Sequence, residues 1–169
     1  SIILGDIDAG GELVVEAVAG AITQNGSGTV GEDINATATA TFTATDAIML
    51  TDASNDFQGA VNAEGVAVSL VDLNVIELAD IDAGSLTVNA ASIDDGAPGA
   101  AGEDVNVTGE TMLTASTTIT LDDATNDFGD AVSASGAAIT LRDANSIVLG
   151  DVDAGGVLTV DALTGAISQ

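Results

Sequence analysis

The sequence predicts an all-β protein, a right-handed parallel β-helix (β-solenoid) built from tandem modules of about 71–74 residues with about 20–25 residues per coil. Three observations lead to this fold class. A long segment of the 169-residue chain repeats. Apolar residues recur at every second position, as in half-buried strands. Gly, Asn and Asp punctuate these segments as turns require. With 46% hydrophobic residues and a mean hydropathy of +0.43, the chain lacks the composition of a disordered protein.

The internal repeat has two parts. Residues 1–24 return as residues 146–169 with 16 of 24 positions identical, and residues 76–84 hold a further copy of their opening. Residues 31–73 match residues 102–144 at 21 of 43 positions. The chain therefore divides into module 1 (1–74), module 2 (75–145) and the start of module 3 (146–169). We expect a continuous solenoid and a segment of a longer chain.

Within each module the hydrophobic period is two. Residues 36–45 place Thr on one face and Ala with Phe42 on the other. Shorter alternating pairs follow, for example Ile48 with Leu50 and Ile76 with Leu78. Each of these segments is predicted to be a strand with one buried face.

Coils explain this pattern better than sandwich domains do. A module is shorter than the roughly 100 residues of an immunoglobulin-like domain, and such a domain is built around a larger aromatic core. A shorter Ile/Val-x-Leu-x-Asp theme also recurs, ending at Asp52 and Asp72 in module 1 and at Asp80 at the start of module 2. We expect each module to form three or four coils.

The charge balance excludes several partners. The chain has 27 Asp and Glu against one basic residue, Arg142, and a formal net charge of -26. It cannot neutralise the phosphates of nucleic acid or of an anionic membrane. No apolar run reaches the roughly 18 residues of a membrane span, so we predict no membrane insertion in this segment. His and Cys are absent, and we expect no enzyme.

Paired aspartates in the repeated Asp-Ile/Val-Asp-Ala-Gly turn are the metal candidates. Carboxylates two residues apart at a turn can supply some of the six to eight oxygens that Ca²⁺ takes. The alternative is a solvated acidic edge that keeps the protein soluble and discourages strand pairing. No other cofactor is predicted. The six candidate ligands are Asp6, Asp8, Asp80, Asp82, Asp151 and Asp153.

Three further features have a functional and a structural interpretation. Asn35 and Asn106 begin Asn-x-Thr sequons, which are glycosylation acceptors in hosts that glycosylate Asn, or else turn residues that satisfy the backbone. The Asn-Asp-Phe motifs at 55–57 and 126–128 suggest an exposed binding aromatic or, as we prefer, a turn followed by a core Phe. Arg142 is expected to pair with a nearby carboxylate such as Asp143.

The chain resembles the repeat region of filamentous haemagglutinin-type bacterial adhesins. The residues that carry the resemblance are the stretches 55–61 and 68–74, the strings at 158–162 and 165–169, and the related 20–24. The resemblance implies a very long, secreted or surface-anchored chain folded as a parallel β-helix, without a catalytic site. The near absence of Lys and Arg departs from many members of that family.

Together these observations predict a structural repeat segment of an extracellular fibre or adhesin on the cell surface. Its partners would be further modules of the same chain or end-to-end copies, and possible host or cell-surface glycans. The alternatives are a glycan-acting β-helix enzyme, either lyase or hydrolase, and a carbohydrate-binding or ice-binding solenoid. The Thr positions of residues 37–45 suggest ice binding, but module 2 breaks that alternation at residues 109–113.

Overall fold

The computed structural model describes residues 1–25, 32–96 and 103–169 and contains twenty-two strands. Gly31 and Gly102, which open one repeated motif, lie outside the described residues. Within the described residues every regular element is a strand. This part of the chain contains no helix whose length and apolar character would allow it to cross a membrane. All the strand pairs are parallel, which confirms the predicted parallel β-solenoid.

The strands form three faces that wind around one core. Face A holds one strand from each of about eight turns. Its strands are β1 (Ile2–Leu4), β4 (Ile22–Gln24), β7 (Ile48–Leu50), β10 (Val68–Val71), β12 (Leu86–Ala90), β15 (Thr111–Ala115), β18 (Ala131–Gly136) and the second half of β20 (Ile147–Ala154). The first half of β20 lies on face C, where it pairs with β22 (Ile167–Ser168).

Faces B and C complete each coil. Face B holds β2 (Ile7–Ala9), β5 (Ile34–Ala36), β8 (Asp56–Phe57), β13 (Ser92–Asp94), β16 (Thr118–Leu121), β19 (Ala138–Asp143) and β21 (Leu158–Ala162). Face C holds β3 (Leu13–Ala17), β6 (Ala40–Ala44), β9 (Val61–Gly65), β14 (Val105–Val107) and β17 (Asp127–Phe128). Strand β11 (Val75–Ala83) spans both faces, because its first half pairs with β13 and its second half with β9 and β14.

Coil length varies because the corners differ while the strands stay in register. Ile22 pairs with Ile48, 26 residues further on. Val68 pairs with Leu86, only 18 residues further on. The spread is slightly wider than the predicted 20–25, and loops at corners tolerate such differences at little entropic cost.

Inward side chains form one continuous core from coil to coil. The alternation predicted for residues 40–44 is confirmed, since Ala40 and Phe42 are buried and Thr41 and Thr43 point outward. Phe42 meets Phe57 edge to face, with ring centroids 6.0 Å apart and an interplanar angle of 77°. The core is otherwise aliphatic, and full burial of each Leu, Ile or Val contributes about 1.5–3 kcal/mol.

The length of a sequence module is not a whole number of structural coils. Strand β5 on face B corresponds in sequence to β14 on face C. In the same way β6 on face C corresponds to β15 on face A, and β7 on face A to β16 on face B. One module therefore advances by three coils and one further face. Equivalent residues of consecutive modules lie on adjacent faces of the solenoid.

Candidate functional site

The outward surface carries two equivalent ladders of Asp and Asn side chains. In the first ladder, Asp8, Asn35 and Asp56 are register partners on face B. Asn35 Nδ2 donates to Asp8 Oδ1 at 3.2 Å, and Asn74 Nδ2 donates to Asp56 Oδ1 at 3.3 Å. Alternating amides thus separate carboxylates that parallel stacking would otherwise place side by side.

The second ladder repeats the first one module later, on face C. Asp82, Asn106 and Asp127 are register partners, and Asn145 Nδ2 donates to Asp127 Oδ1 at 3.0 Å. A carboxylate directly opposite another across a sheet is destabilising. Asn106 therefore keeps the carboxylates of Asp82 and Asp127 apart, whereas Glu64 and Asp82 are direct register partners.

The six predicted Ca²⁺ ligands do not come together. Asp6 and Asp8 lie beside face B, Asp80 and Asp82 on face C, and Asp151 and Asp153 on face A, because each module turns the pattern by one face. All are exposed. The described part of the chain contains no group of three or more acidic side chains suited to hold a metal ion. Ca²⁺ binding by these pairs stays a prediction.

The pKa of Asp80, one of the two aspartates of this motif on face C, is raised by its surroundings. Partial desolvation, and then the negative charges of Asp104 and Asp82, raise the pKa of Asp80. Since both neighbouring charges are carboxylates, this part of the surface favours proton uptake. Open surface depressions occur between such outward side chains, for example between Thr41, Asn62 and Asp80.

The two sequon asparagines are rungs of the ladders. Asn35 Nδ2 also donates to Asp33 Oδ2 at 2.7 Å, and Asn106 Nδ2 donates to Asp104 Oδ2. Both side chains are half-buried. The nitrogen that a glycan would modify is thus engaged within the fold, while glycosylation of Asn35 and Asn106 stays a prediction.

The polar residues that build the corners are buried, a feature the sequence analysis missed. Asn55 and Asn126 are completely buried. Asn55 Oδ1 accepts from Ile34 N at 2.9 Å, and Asn126 Oδ1 accepts from Val105 N at 2.8 Å. Each Asn therefore satisfies a backbone N–H that opens a strand of the adjacent coil.

Two buried aspartates hold the Phe strands. Asp72 accepts from Phe57 N and from Asn74 N, both at 2.7 Å. Asp143 accepts from Phe128 N at 2.8 Å and from Asn145 N at 2.6 Å. The preferred interpretation of Asn-Asp-Phe as a corner with a core Phe agrees with these contacts. The sequence signal was present, because each Asp follows an inward Leu by two positions and the same alternation directs it inward.

Burial changes the acidity of two of these corner residues. Desolvation raises the pKa of Asp72, although the backbone N–H groups of Phe57 and Asn74 oppose the change. Desolvation also raises the pKa of Asp95, against hydrogen bonds from Asn126, Asp123 and Asp122. Both carboxylates therefore hold protons at higher pH in the folded chain than in the unfolded chain.

Arg142 pairs with a different carboxylate from the one expected. Its Nε lies 3.3 Å from Asp161 Oδ2 in the next coil, where the two residues are register partners. Its Nη1 donates to Asp122 O at 3.0 Å. Asp143 is turned inward toward Phe128 N, since side chains at successive strand positions point to opposite sides.

A continuous parallel solenoid with repeated Asp–Asn ladders defines a tandem-repeat structural class. The chain belongs to the family described as repeats of unknown function (DUF5649), whose model matches residues 1–64, 65–135 and 136–169. The second and third matches begin 71 residues apart, the same spacing that separates Asn55 from Asn126 and Asn35 from Asn106. No curated protein and no solved structure matches the chain.

Proposed function

We propose that this chain is a structural repeat segment of an extracellular fibre or adhesin, and that it forms a stiff filament at the cell surface. The observation that supports the proposal most is the continuous core. Inward side chains of successive coils belong to one hydrophobic cluster from Leu4 to Ile147. Such a rod transmits load along its axis without a hinge between modules.

The terminal coils also favour axial growth. Leu158 is 44% exposed, whereas its counterpart Leu86, which lies between two neighbouring strands, is 1% exposed. Uncovered strand edges pair readily with further strands. The partners we propose are further modules of the same chain or copies stacked end to end.

The outward threonines favour a fibre over ice binding. Thr41 and Thr43 face Asn62 and Glu64 in the next coil and Val14 and Glu16 in the preceding one. A rank of Thr across coils is therefore interrupted on both sides at this place. The filamentous haemagglutinin-type resemblance adds the expectation of a secreted or surface-anchored chain, and glycans are the targets we propose for it.

Electron microscopy of the purified protein tests the proposal. With coils about 4.8 Å apart, one module should advance roughly 16 Å and turn by about one face, so that the pattern repeats after three modules, about 48 Å. Filaments are the expected result, with this screw symmetry where modules of one chain continue and an axial repeat of about 38 Å, or eight coils, where copies stack end to end. Compact particles that do not elongate at any concentration, together with release of sugar fragments from polysaccharide, would support the glycan-acting enzyme instead.

A further inference from the structure

Face A differs from the other faces in its charge. Among the described residues of strands β1 to β18, its outward side chains are all uncharged. The central column contains Ile3, Thr23, Met49, Ser69, Thr87, Met112 and Ser133. The column beside it contains Val71, Asn89, Thr114 and Ser135. Acidic side chains reach this face at β20, with Asp151 and Asp153.

Face C is the most acidic contrast to face A. Its outward column is formed by Glu16, Thr43, Glu64, Asp82, Asn106 and Asp127. Two copies of a chain with a net charge of -26 would repel each other strongly along such a column. The strands β1 to β18 of face A bring no like charges together, and Glu110, just before the start of β15, lies at the rim of this surface.

Face A and its corner toward face B also expose apolar side chains. Ile3 is 70% exposed, Met112 55% and Met49 48%, while Leu73 and Val75 at the corner are 56% and 54% exposed. Ile3, Met49 and Met112 lie on a parallel sheet, and face-to-face packing of two sheets would bury them.

We propose that face A docks a second copy of this chain laterally, face to face and with the two solenoid axes antiparallel. This inference goes beyond the proposed filament, because it concerns the flank of the rod and not its ends. A two-fold axis parallel to the strands, between β10 and β12, places Met49 opposite Met112 of the partner subunit. The same axis places Thr23 opposite Ser133 of the partner subunit.

The antiparallel arrangement follows from the charges of the eighth coil. Parallel copies would bring Asp151 and Asp153 against their own counterparts, whereas antiparallel copies separate them by the length of the face. Six overlapping coils about 4.8 Å apart and strands about 16 Å long cover roughly 450 Å² on each copy. That is at the low end for a specific interface, so we expect weak association that salt strengthens by screening the distant acids.

Analytical ultracentrifugation at several protein and salt concentrations tests whether two copies pair through face A. The parent chain should shift from 16.4 kDa toward twice that mass as salt increases. Ser69→Asp, at the centre of face A, should lose this salt-dependent lateral pairing and keep any end-to-end stacking, while Thr41→Asp, at an outward position of face C, should pair like the parent. A parent that stays monomeric at all salt concentrations, or a Ser69→Asp variant that associates like the parent, would overturn the proposal.

Disulfide trapping tests the register, and it is specific because the chain has no Cys. Under mild oxidation, a mixture of the Met49→Cys and Met112→Cys variants should form cross-linked dimers. Each variant alone should form them at least several-fold more slowly, since its own counterpart would be three coils away. Cross-linking that is faster in Met49→Cys alone than in the mixture would reject the antiparallel arrangement.

Discussion

Two buried corners, one around Asn55 in module 1 and one around Asn126 in module 2, share their hydrogen bonds except at one position. In both corners the backbone carbonyl oxygen of the Asn accepts a hydrogen bond from the next coil: Asn55 O from Leu73 N and Asn126 O from Ala144 N, each at 2.7 Å. At the differing position, module 1 has Gln24 and module 2 has Asp95.

The two side chains meet the same donors. Gln24 Oε1 accepts from Asp52 N and from Asn55 Nδ2, both at 3.1 Å. Asp95 Oδ2 accepts from Asp123 N at 3.0 Å and from Asn126 Nδ2 at 2.7 Å. Gln24 also returns a hydrogen bond, from Nε2 to Asn55 Oδ1 at 2.6 Å, which a carboxylate cannot do. The corner therefore requires an acceptor at this position, and its charge is free to vary.

The largest expected loss of stability comes from removing the Phe side chain beside each corner, and it should be larger at Phe57 than at Phe128. Phe57→Ala and Phe128→Ala each remove a side chain that is 1% exposed, at a loss of about 3–5 kcal/mol. Phe57→Ala should cost about 0.5–1.5 kcal/mol more, since Phe57 also meets Phe42 edge to face, while module 2 has Leu113 in the place of Phe42.

Denaturant unfolding of the two variants measures that difference. Phe42→Leu is the matched control, because it gives module 1 the residue of module 2 and should abolish the additional loss. Equal losses for Phe57→Ala and Phe128→Ala in the parent background would show that the aromatic pair contributes nothing beyond its buried area.

The corner asparagines should give the next largest effect. Asn126→Ala leaves Val105 N without its acceptor and removes a donor from the Asp95 carboxylate. Because unsatisfied buried groups cost about 1–3 kcal/mol, and more when charged, we expect a loss of about 3 kcal/mol. Asn55→Ala should lose less, since its partner Gln24 is neutral. Hydrogen exchange at Val105 N and Ile34 N would locate each loss, and protection unchanged at both would contradict this account.

The sequence was sufficient to predict the strands but not their placement around the axis. The alternation in residues 40–44 identifies Phe42 as inward from the sequence alone. Which face a strand joins depends on the lengths of all preceding corners, and those vary from coil to coil. For this reason the sequence predicted equivalent aspartates, such as Asp8 and Asp82, without predicting that they lie on different faces. The buried Asp72 and Asp143 were visible in the alternation, but acidic residues are normally exposed.

A smaller effect is the pH dependence of stability, which should differ between the two corners because module 2 has the ionisable Asp95 where module 1 has the neutral Gln24. The folded-state pKa values of Asp72 and Asp95 are raised above the ordinary 3.8, so the folded chain binds more protons than the unfolded chain between 3.8 and those values. The free energy of unfolding should therefore rise as the pH falls from 7 toward 4. Asp95→Gln copies module 1 and should flatten that rise, as thermal unfolding at several pH values would reveal. An unchanged pH profile in Asp95→Gln would exclude Asp95 as a source.

The smallest expected effect concerns Arg142, which stands where module 1 has Val71. Its ion pair with Asp161 is partly exposed, with side-chain exposures of 35% and 48%. Such pairs contribute about 0.2–1 kcal/mol, and the hydrogen bond from Nη1 to Asp122 O adds a comparable amount. Arg142→Val makes module 2 like module 1 at this position and should lower the free energy of unfolding by about 1 kcal/mol.

The loss should be smaller at 1 M salt, where the Debye length is about 3 Å. Asp161→Asn, which removes the same ion pair from the other side, is the matched control. A loss in Arg142→Val that salt leaves unchanged would assign the contribution of Arg142 to packing of its aliphatic stem against the neighbouring coils.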